Sequence, residues 1–520
     1  METICPSTLI PGSKVLFVGE SPGREECAQK RGFVGPAGRV LQRAVQLAGL
    51  DWTRCSLSNV VKRPPDGGFS SDHFRRTFYA TQETPIITKT GKVSKKVRRV
   101  TAPTTEYQAW VQDLHKDVLQ AAPNVVVAVG AEALKALCGL DQIHCWRGSV
   151  IESTLVPGQK VIPIVHPSYI QRGQWSDFWP MVYDLKNKVR VEMAFPEIRQ
   201  EPWTTIYPTG TGEVIDFLRA IQGRWSLDIE TRGGSIACIG VGCSFGSGAG
   251  PGLTGLCIPI QTTKGPYWSA PDELRTWQAL SELFNTNKAL VGQNLVYDLD
   301  WLRDYDVRAS GILMDTMTAH CFLYPEWAQG YKGLDFITSF YLGDVPYYKG
   351  EGKTWGSKTP DEDLWRYNLK DVVHTLRASY PIEEQLRARG LWDRYQQEIV
   401  PLTYLALEMQ ERKLQINEPN VHMLDANLQQ EIIFVHDALV QLTGREINTA
   451  SSKQVRTLLY ETLRLPIRRS KGSGKVTTDE NALRELRTLC AHPVLDLIIK
   501  ERHLRKRKES FVDCELEEVL

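Results

Sequence analysis

Four acidic side chains in the middle of the chain have types and spacings that suit metal-dependent hydrolysis. Asp228 and Glu230 follow one apolar run, Asp298 follows another, and Asp371 closes the stretch Tyr367-Asn-Leu-Lys-Asp371. Carboxylates brought together repel one another unless cations neutralise them, and oxygen ligands suit Mg²⁺ or Mn²⁺. Two such ions, about 3.5–4 Å apart, can activate a water and stabilise the leaving oxygen of a phosphodiester. The four acids therefore indicate a candidate two-metal site.

Particular elements must position these acids. Asp228 and Glu230 are two residues apart, so on a strand both side chains lie on the same face of the sheet. Tyr367 and Asp371 are four residues apart in a helical stretch, where such positions are neighbours on one face. From there the tyrosine can orient the attacking water. Each short motif alone is common on protein surfaces, whereas all three in order favour a functional site.

The three motifs together resemble the 3′–5′ proofreading exonuclease domain of family A DNA polymerases, of the DnaQ-like superfamily. The resemblance runs from about Glu201 to Leu391 and includes Asp315-Thr316-Met317. It implies an RNase H-like α/β fold, two bound Mg²⁺ or Mn²⁺ ions and DNA 3′ ends as substrate. It also implies that the metal ligands are Asp228, Glu230, Asp298 and Asp371, that Tyr367 positions the nucleophile and that Asn294 contacts DNA. Arg366 stands where a histidine-type enzyme carries its histidine, so the site is of the tyrosine type.

A second set of polar residues lies within about the first 190 residues, where apolar strands alternate with amphipathic helices. Predicted strands cover Val15–Val18, Ser56–Val60, Val125–Val129 and Val161–Val165, with helices at Gly38–Ala48, Tyr107–Ala121 and Glu132–Cys138. This alternation predicts a three-layer α/β unit with a mainly parallel sheet. Glu20, Asn59 and His166 each lie at the end of a predicted strand. Such ends converge on one ligand crevice in an open α/β sheet.

The residues at these strand ends suit recognition of a single DNA base, which Phe33 would cover and Asn59 would read. Each also has an ordinary alternative, since His166 can cap a turn, Phe33 can belong to the core and Asn59 can end a strand. With Val15–Gly23 and Gly32–Gly38, these residues resemble family 4 of the uracil-DNA glycosylases over about residues 12–190. The resemblance implies that Glu20 holds the attacking water, Phe33 stacks on uracil, Asn59 hydrogen-bonds it, and His166 stabilises charge on the departing base.

The sequence departs from that family at the cysteines that hold its four-iron, four-sulfur cluster. The family's pattern starts with an N-terminal C-x-x-C, but only Cys5 lies in that neighbourhood here. The motif Lys-Cys-Arg-Pro-Pro is replaced by Lys62-Arg63-Pro64-Pro65, and the fourth cysteine is replaced near Trp110. The cluster is therefore expected to be absent. The basic insert Thr84–Thr105 also lacks the histidine with which a related group traps DNA. An active glycosylase and a DNA-binding relic both remain open.

Beyond about Leu391 the pattern is nearly all helical, interrupted by a Gly/Ser segment at Ser470–Gly474. Without any family resemblance, the residue pattern of this part indicates only a basic helical domain. Its segments Gly444–Asn448 and Gly474–Glu480 resemble the thumb subdomain of family A polymerases, which grips duplex DNA. The resemblance implies that the DNA contacts include Lys453, Arg505 and Lys506.

The resemblance to family A polymerases covers only the front portion of such a polymerase. The sequence ends at Leu520, before any counterpart of the palm and fingers. We therefore expect no polymerisation by this chain alone, and a separate palm-and-fingers chain is a candidate partner. The basic helix from Lys500 to Lys508 is expected to hold primer-template DNA in a salt-dependent way.

Composition and charge exclude several protein classes. The chain has 520 residues, and 62 basic against 61 acidic residues leave a formal charge of +1, so a DNA-binding surface must be local. No apolar run approaches the length of a membrane span, and the N-terminus lacks the order of a signal peptide. The 11 cysteines contain no C-x-x-C pair, which favours reduced thiols. We therefore expect an intracellular, cytoplasmic protein of a bacterial cell or phage-infected host, with no membrane partner.

The sequence as a whole predicts an α/β protein of three domains. These are a glycosylase-like α/β domain at residues 1–195, an exonuclease domain at 196–390 and a mostly α-helical thumb at 391–520. The expected function is 3′–5′ exonuclease action in DNA replication or repair, on single-stranded 3′ ends and primer-templates, beside a uracil-recognising domain. The alternative is a DNA-binding front subunit of a split family A polymerase in which the glycosylase domain is inactive.

Overall fold

The computed structural model describes residues 4–67, 71–87, 93–199, 202–245, 252–327, 329–354, 356, 359–413, 416–470 and 474–513. Internal contacts divide the chain into two units, Met1–Glu411 and Arg412–Leu520. The larger unit contains two large β-sheets, and the smaller unit is helical. None of the helices among the described residues is both long and apolar enough to span a membrane.

The three central strands of the first sheet are short, mostly apolar runs that are buried on both faces, as in parallel sheets covered by helices. The strands of this half are β1 (Val15–Gly19), β2 (Ser56–Asn59), β3 (Tyr79–Ile87), β4 (Val93–Pro103), β5 (Val125–Val129), β6 (Ile151–Glu152) and β7 (Lys160–Ile164). The sheet order is β2-β1-β5-β7-β6, parallel except at β6, and β3 pairs with β4 as a separate hairpin. The tip of the predicted basic insert, residues 88–92, lies outside the described residues.

Helices cover both faces of the first sheet. They are α1 (Arg24–Gln29), α2 (Pro36–Leu47), α3 (Ser71–Phe78), α4 (Thr105–Ala121), α5 (Ala131–Cys138), α6 (Ile143–Trp146), α7 (Pro167–Gln171), α8 (Phe178–Asp184) and α9 (Arg190–Glu192). Neighbouring residues of β1 enter opposite cores. Phe17 packs in the core that contains Leu41, whereas Leu16 packs in the core that contains Leu114. The predicted three-layer α/β arrangement is therefore confirmed.

The second sheet mixes antiparallel and parallel strands. The strands are β8 (Thr204–Ile206), β9 (Trp225–Arg232), β10 (Ser235–Ser244), β11 (Leu253–Pro259), β12 (Gln261–Thr262), β13 (Gly265–Pro266), β14 (Leu290–Gly292) and β15 (Ile312–Asp315). The sheet order is β15-β14-β9-β10-β11-β8, and β12 pairs with β13 in a separate two-stranded sheet. Strand β10 runs antiparallel to both neighbours, whereas β14 runs parallel to β9 and β15.

One long helix packs across the second sheet. The helices here are α10 (Thr211–Ala220), α11 (Ala270–Thr286), α12 (Leu295–Arg303), α13 (Thr316–Leu323), α14 (Leu334–Tyr341), α15 (Asp361–Ala388), α16 (Trp392–Arg394) and α17 (Val400–Arg412). Along β9, Trp225, Leu227 and Ile229 enter the main core, so Ser226 and Asp228 face the other way. Ser226 donates a hydrogen bond to the Val372 carbonyl at 2.7 Å, which fixes α15 against this second face.

The second unit is helical, as the sequence predicts. Its helices are α18 (Glu418–Thr443), α19 (Ser452–Arg456), α20 (Glu480–Cys490) and α21 (Pro493–Phe511). Buried leucines such as Leu439, Leu458 and Leu483 form its core with residues of α21. Within the predicted Gly/Ser interruption, residues 471–473 lie outside the described part of the chain.

Short irregular helices occur in both units. The 3-10 segments lie at Trp52–Arg54, Trp175–Asp177, Pro325–Trp327 and Glu351–Thr354, and the π-helical segments lie at Leu185–Val189, Tyr395–Ile399 and Thr457–Thr462.

Candidate functional site

The acids of the second sheet converge on one cavity beside β9. Asp228 and Glu230 extend from β9, Asp298 lies in the first turn of α12, and Asp371 lies on α15. These four acids, Tyr367 and Asn294 all line a cavity of about 440 Å³. Oxygen atoms of Asp228, Glu230 and Asp371 lie within 4.8 Å of one another, and in the described part of the chain no other His, Cys, Asp or Glu side chains form such a group.

Keeping all four acids ionised at the same time costs free energy, as the pKa values show. Burial raises the pKa of Asp228, and the charge of Asp371 raises it further. Burial and the charge of Asp228 likewise raise the pKa of Glu230 above its usual range, and burial does the same at Asp298. A site made of oxygen ligands that repel one another fits divalent cations, which supply the missing positive charge.

Neutral groups fix the orientation of two of these acids. The Ile229 amide donates a hydrogen bond to Oδ1 of Asp298 at 2.8 Å. Asn368 donates through Nδ2 to Oδ2 of Asp228 at 2.8 Å and to its carbonyl oxygen at 3.0 Å. Sequence reasoning missed Asn368, although it lies inside the Tyr367-to-Asp371 motif. Gly240 makes the contact possible, because a Cβ there would lie 2.4 Å from Oδ1 of Asn368.

Asn294 lies where β14 turns into α12. Its backbone has a positive φ of 61°, which asparagine tolerates better than most residues. Asp315 holds this turn, because its two carboxylate oxygens each accept a hydrogen bond at 3.0 Å, one from the Asn294 amide and one from the Leu295 amide. The aspartate noted after the second motif therefore positions the turn that presents Asn294 to the cavity.

Two residues from a loop contact Asp371, and one of them, Lys349, also lines this cavity. The Tyr348 hydroxyl donates a hydrogen bond to Oδ1 of Asp371 at 2.6 Å, and the Lys349 ammonium forms an ion pair with Oδ2 of the same aspartate. That ammonium lies 4.5 Å from the centre of the Tyr367 ring. Neither loop residue was predicted, because an irregular segment has no periodicity that would indicate which way its side chains point.

The polar residues predicted in the first sheet also converge. Glu20 follows β1, Asn59 ends β2 and His166 follows β7, and all three line a cavity of about 560 Å³ together with Phe33. Gly19 allows the close approach, since a Cβ there would lie 2.4 Å from Oδ1 of Asn59 and 2.9 Å from the Phe33 ring. Phe33 has a positive φ of 57° and meets Trp52 edge-on at 6.0 Å.

Burial shifts the pKa values of Glu20 and His166 in opposite directions, and in each case it favours the uncharged form. Burial and the nearby charge of Glu132 raise the pKa of Glu20 to about 7. Burial lowers the pKa of His166 to about 4, so this imidazole is neutral near pH 7. Its Nδ1 accepts the Ser168 amide at 3.2 Å, which leaves the proton of the neutral ring on Nε2. His166 therefore caps α7, as its alternative interpretation expected, and still lines the cavity as a neutral hydrogen-bond donor.

Two further residues support this cavity. Lys62 is buried, and its ammonium donates to the Asn59 carbonyl at 2.9 Å and to Asp117 at 2.5 Å. Glu26 accepts the Gly35 amide at 2.8 Å and thereby joins α1 to the start of α2. Lys62 lies in the Lys-Arg-Pro-Pro segment read from the sequence, and its buried position explains how that segment fixes the end of β2.

The positions expected to hold iron–sulfur ligands make other contacts. Cys5 is buried, and its amide donates to the Lys62 carbonyl at 2.8 Å. Arg63 forms an ion pair with Glu106 at 2.6 Å, and the Trp110 indole donates to the same glutamate at 3.2 Å. Because an ion pair and an aromatic ring replace sulfur ligands, these residues do not fit a four-iron cluster. Its absence stays a prediction that iron analysis can check.

The predicted DNA-binding residues of the second unit lie on two helices. Lys453 is exposed on α19, and Arg505 and Lys506 are exposed on α21. Arg505 is partly occupied, since it forms an ion pair with Glu501 at 2.7 Å. Lys508, from the same basic run, pairs with Asp425 at 2.7 Å. Part of the basic helix therefore stabilises the unit itself, and its exposed members remain the candidates for phosphate contact.

Comparison with known families divides the chain into three consecutive matches. Residues 6–186 match the uracil DNA glycosylase superfamily, residues 211–387 match the 3′–5′ exonuclease family, and residues 418–519 match DNA polymerase family A. The order agrees with the resemblances found in the sequence.

Individual relatives cover different parts of the chain. The type-4 uracil-DNA glycosylase of Thermotoga maritima is 30% identical over 176 residues, which are 33% of this chain and 73% of that enzyme. DNA polymerase I of Synechocystis sp. is 25% identical over 298 residues, 56% of this chain. The match spans only 29% of that polymerase.

A similar solved structure is the POL domain of Pol1 from M. smegmatis in complex with DNA primer-template and dNTP. It has 17% identity and a TM-score of 0.43, and the match covers 60% of this chain and 49% of that one. The family matches carry the assignment. The chain belongs to the uracil-DNA glycosylase superfamily through residues 6–186, and it joins that domain to a 3′–5′ exonuclease domain and a segment of the family A DNA polymerases.

Proposed function

We propose that the exonuclease domain removes nucleotides from DNA 3′ ends with two Mg²⁺ or Mn²⁺ ions. The observation that supports this most strongly is the convergence of Asp228, Glu230 and Asp371 within 4.8 Å, with Asp298 in the same cavity. When bound, the two ions activate a water and stabilise the oxygen that leaves the phosphodiester. The donor set fits such hard cations because every ligand is an oxygen.

The chain's own residues have distinct tasks in this reaction. Asp228, Glu230, Asp298 and Asp371 hold the ions. Tyr367 lines the same cavity one helical turn before Asp371, where its hydroxyl can position the attacking water. Asn294 lines the same cavity, on the turn held by Asp315, and contacts the terminal nucleotide.

A metal-ligand variant tests this proposal. We expect Asp298→Ala to lower Mg²⁺-dependent trimming of single-stranded DNA by at least about two orders of magnitude, since a misplaced cation loses its electrostatic effect. Asp304→Ala is the matched control, because Asp304 lies exposed at the end of the same helix. DNA binding should persist in both variants. Undiminished trimming by Asp298→Ala would refute the assignment.

The first domain supports a second activity, excision of uracil from DNA. Glu20, Phe33, Asn59 and His166 line one cavity of about 560 Å³, which can enclose a base. In this proposal Phe33 stacks on uracil and Asn59 hydrogen-bonds its edge. Glu20 orients the water, and the Nε2–H of His166 donates to the departing base.

This reaction needs no divalent cation, so EDTA separates it from trimming. We expect abasic sites in uracil-containing single-stranded DNA in the presence of EDTA, and we expect Asn59→Ala to abolish them. Absence of abasic sites with the wild-type protein would favour the alternative, in which this domain only binds DNA.

The polymerase-family segment supports the alternative role of delivering primer ends to a palm-and-fingers chain. Exposed Lys453, Arg505 and Lys506 are its candidate phosphate contacts. Binding of primer-template should then weaken steeply with salt, because counterions are released on binding. Primer extension on an Asp298→Ala background, with and without an added palm-and-fingers chain, tests the role, and extension by this chain alone would contradict it.

A further inference from the structure

The segment Leu342–Gly352, here called the strap, brings a cation into the exonuclease cavity. Its Lys349 pairs with Asp371, and its Tyr348 donates to the same carboxylate at 2.6 Å. Only 21% of the Lys349 side chain is exposed, so the ammonium is held in the cavity rather than in solvent. Asp371 is also one of the three acids whose oxygens can share a metal ion. The strap cation and a divalent ion therefore compete for one carboxylate.

The glycosylase-superfamily domain holds this strap. Buried Lys188 donates a hydrogen bond from its ammonium to the Leu342 carbonyl at 2.5 Å. Trp146 packs edge-on against Tyr347, with ring centres 5.2 Å apart. These contacts lie at the start of the strap and at the residue just before Tyr348. On the exonuclease side, Arg377 pairs with Asp344 at 2.6 Å.

The surfaces that carry these contacts are firmly packed against each other. Tyr183 stacks on Phe340 with ring centres 3.6 Å apart and an interplanar angle of 16°. Tyr331 donates to Asp177 at 2.7 Å. Arg147 pairs with buried Asp184 and lies 4.9 Å above the Phe336 ring. Since these residues are buried or half-buried, the strap is attached to a well-packed contact between the two domains.

We propose that Lys349 is a positioning residue that sets the metal affinity of the exonuclease site. In this proposal the glycosylase-superfamily domain keeps Lys349 beside Asp371 through its contacts with the strap. The inference rests on the proposed two-metal site. Its physical basis is charge, because an ammonium on Asp371 stabilises the metal-free acids and must be displaced or share the carboxylate when a divalent ion binds. Removal of the ammonium, or release of the strap, should therefore strengthen metal binding.

The first test removes the ammonium in the full chain. Mn²⁺ binding is measured by electron paramagnetic resonance for the wild type, Lys349→Met and Lys349→Arg. We expect Lys349→Met to bind Mn²⁺ at least about tenfold more tightly, because a competing unit charge is lost. Lys349→Arg keeps the positive charge and should therefore retain the wild-type affinity. If the role of Lys349 depended on the shape of its side chain, this variant would also change the affinity. Wild-type affinity in Lys349→Met overturns the role of Lys349.

The second test releases the strap from the other domain. Trp146→Ala removes the contact from one side and Tyr347→Ala from the other, so the test does not depend on the folding of one variant. Trp175→Ala is the matched control, because Trp175 is 57% exposed in the same domain. We expect tighter Mn²⁺ binding in both strap variants and unchanged binding in the control. Affinities equal to the control in both variants overturn the role of the domain.

These measurements are separable from those of the proposed function. If Mn²⁺ affinities change as expected while the wild type fails to trim DNA, the exonuclease proposal fails and the metal-affinity role of Lys349 stands. If the wild type trims DNA while all affinities stay equal, the exonuclease proposal stands and this inference fails.

Discussion

The backbone amide of Ile229 donates a hydrogen bond to Oδ1 of Asp298 across 2.8 Å. Ile229 lies between Asp228 and Glu230, so the main chain that carries two of the acids also orients the third. An asparagine at position 298 keeps an oxygen acceptor for this bond, whereas it cannot carry the charge. Geometry and charge can therefore be tested separately at this site.

The first prediction concerns charge repulsion. We expect Asp298→Asn to raise the Tm in EDTA by about 2–4 °C, since one of several buried acids that repel one another is removed. Trimming should nevertheless be lost, because a neutral amide is a poor ligand for a divalent cation. Thermal unfolding in EDTA and in Mg²⁺ checks both effects, with Asp304→Asn as control. A lower Tm in EDTA would mean that neighbouring groups already compensate the charge of Asp298 in the wild-type protein.

The second prediction concerns Asn368, which anchors Asp228. Asn368→Ala should lower trimming about 10–100-fold, as is typical when a group that orients a metal ligand is removed. Asn285→Ala provides the comparison, because Asn285 is exposed on α11. Steady-state trimming and Mn²⁺ affinity should fall together in Asn368→Ala. If neither the trimming rate nor the Mn²⁺ affinity changes, the hydrogen bonds from Asn368 are not needed to orient Asp228.

The third prediction is the pH dependence of uracil excision. Because the pKa of Glu20 is raised to about 7, its carboxylate form declines as the pH falls through that value. The rate should therefore rise about tenfold per pH unit below 7 and level off above it. The pKa of His166 is lowered to about 4, so that ring stays neutral throughout. Initial rates in EDTA test the profile, and a rate that falls above pH 7 would make Glu20 an acid rather than a base.

The fourth prediction compares a buried ion pair with an exposed one. Arg147 and Asp184 are both buried, so Asp184→Ala should cost about 3–5 kcal/mol by leaving a buried charge without its partner. Arg219 and Glu282 form an exposed pair at 3.2 Å, and Glu282→Ala should cost less than about 1 kcal/mol. Denaturant unfolding measures both free energies of unfolding. Similar losses would show that the Arg147–Asp184 contact is open to water.

Much of both candidate sites could be predicted because regular elements convert spacing into direction. Asp228 and Glu230 share a face through strand alternation, and Tyr367 and Asp371 through the helical repeat. Glu20, Asn59 and His166 could be placed together because the ends of parallel strands meet at one edge. The functional roles of these residues remain predictions until the variants are measured.

The rest depends on contacts that only the folded chain creates. Lys349 belongs to an irregular segment next to glycines, where the sequence alone suggests a solvated lysine. The strap that carries it is hydrogen-bonded at Leu342 to Lys188, which lies 154 residues before Leu342 in the chain. The sequence predicts the basic run on α21 as a DNA-binding surface, but the pairing of Lys508 with Asp425 could not be foreseen from either helix alone.

Helix α15 carries Tyr367, Asn368 and Asp371 within little more than one turn, and all three face the same cavity or the sheet beside it. Each added or lost residue would rotate the later part of the helix by about 100° and shift it by about 1.5 Å. An insertion or deletion between positions 367 and 371 would thus separate the tyrosine from the aspartate that it serves. Length variation in related chains should consequently avoid this turn and accumulate in the connections before Asp361.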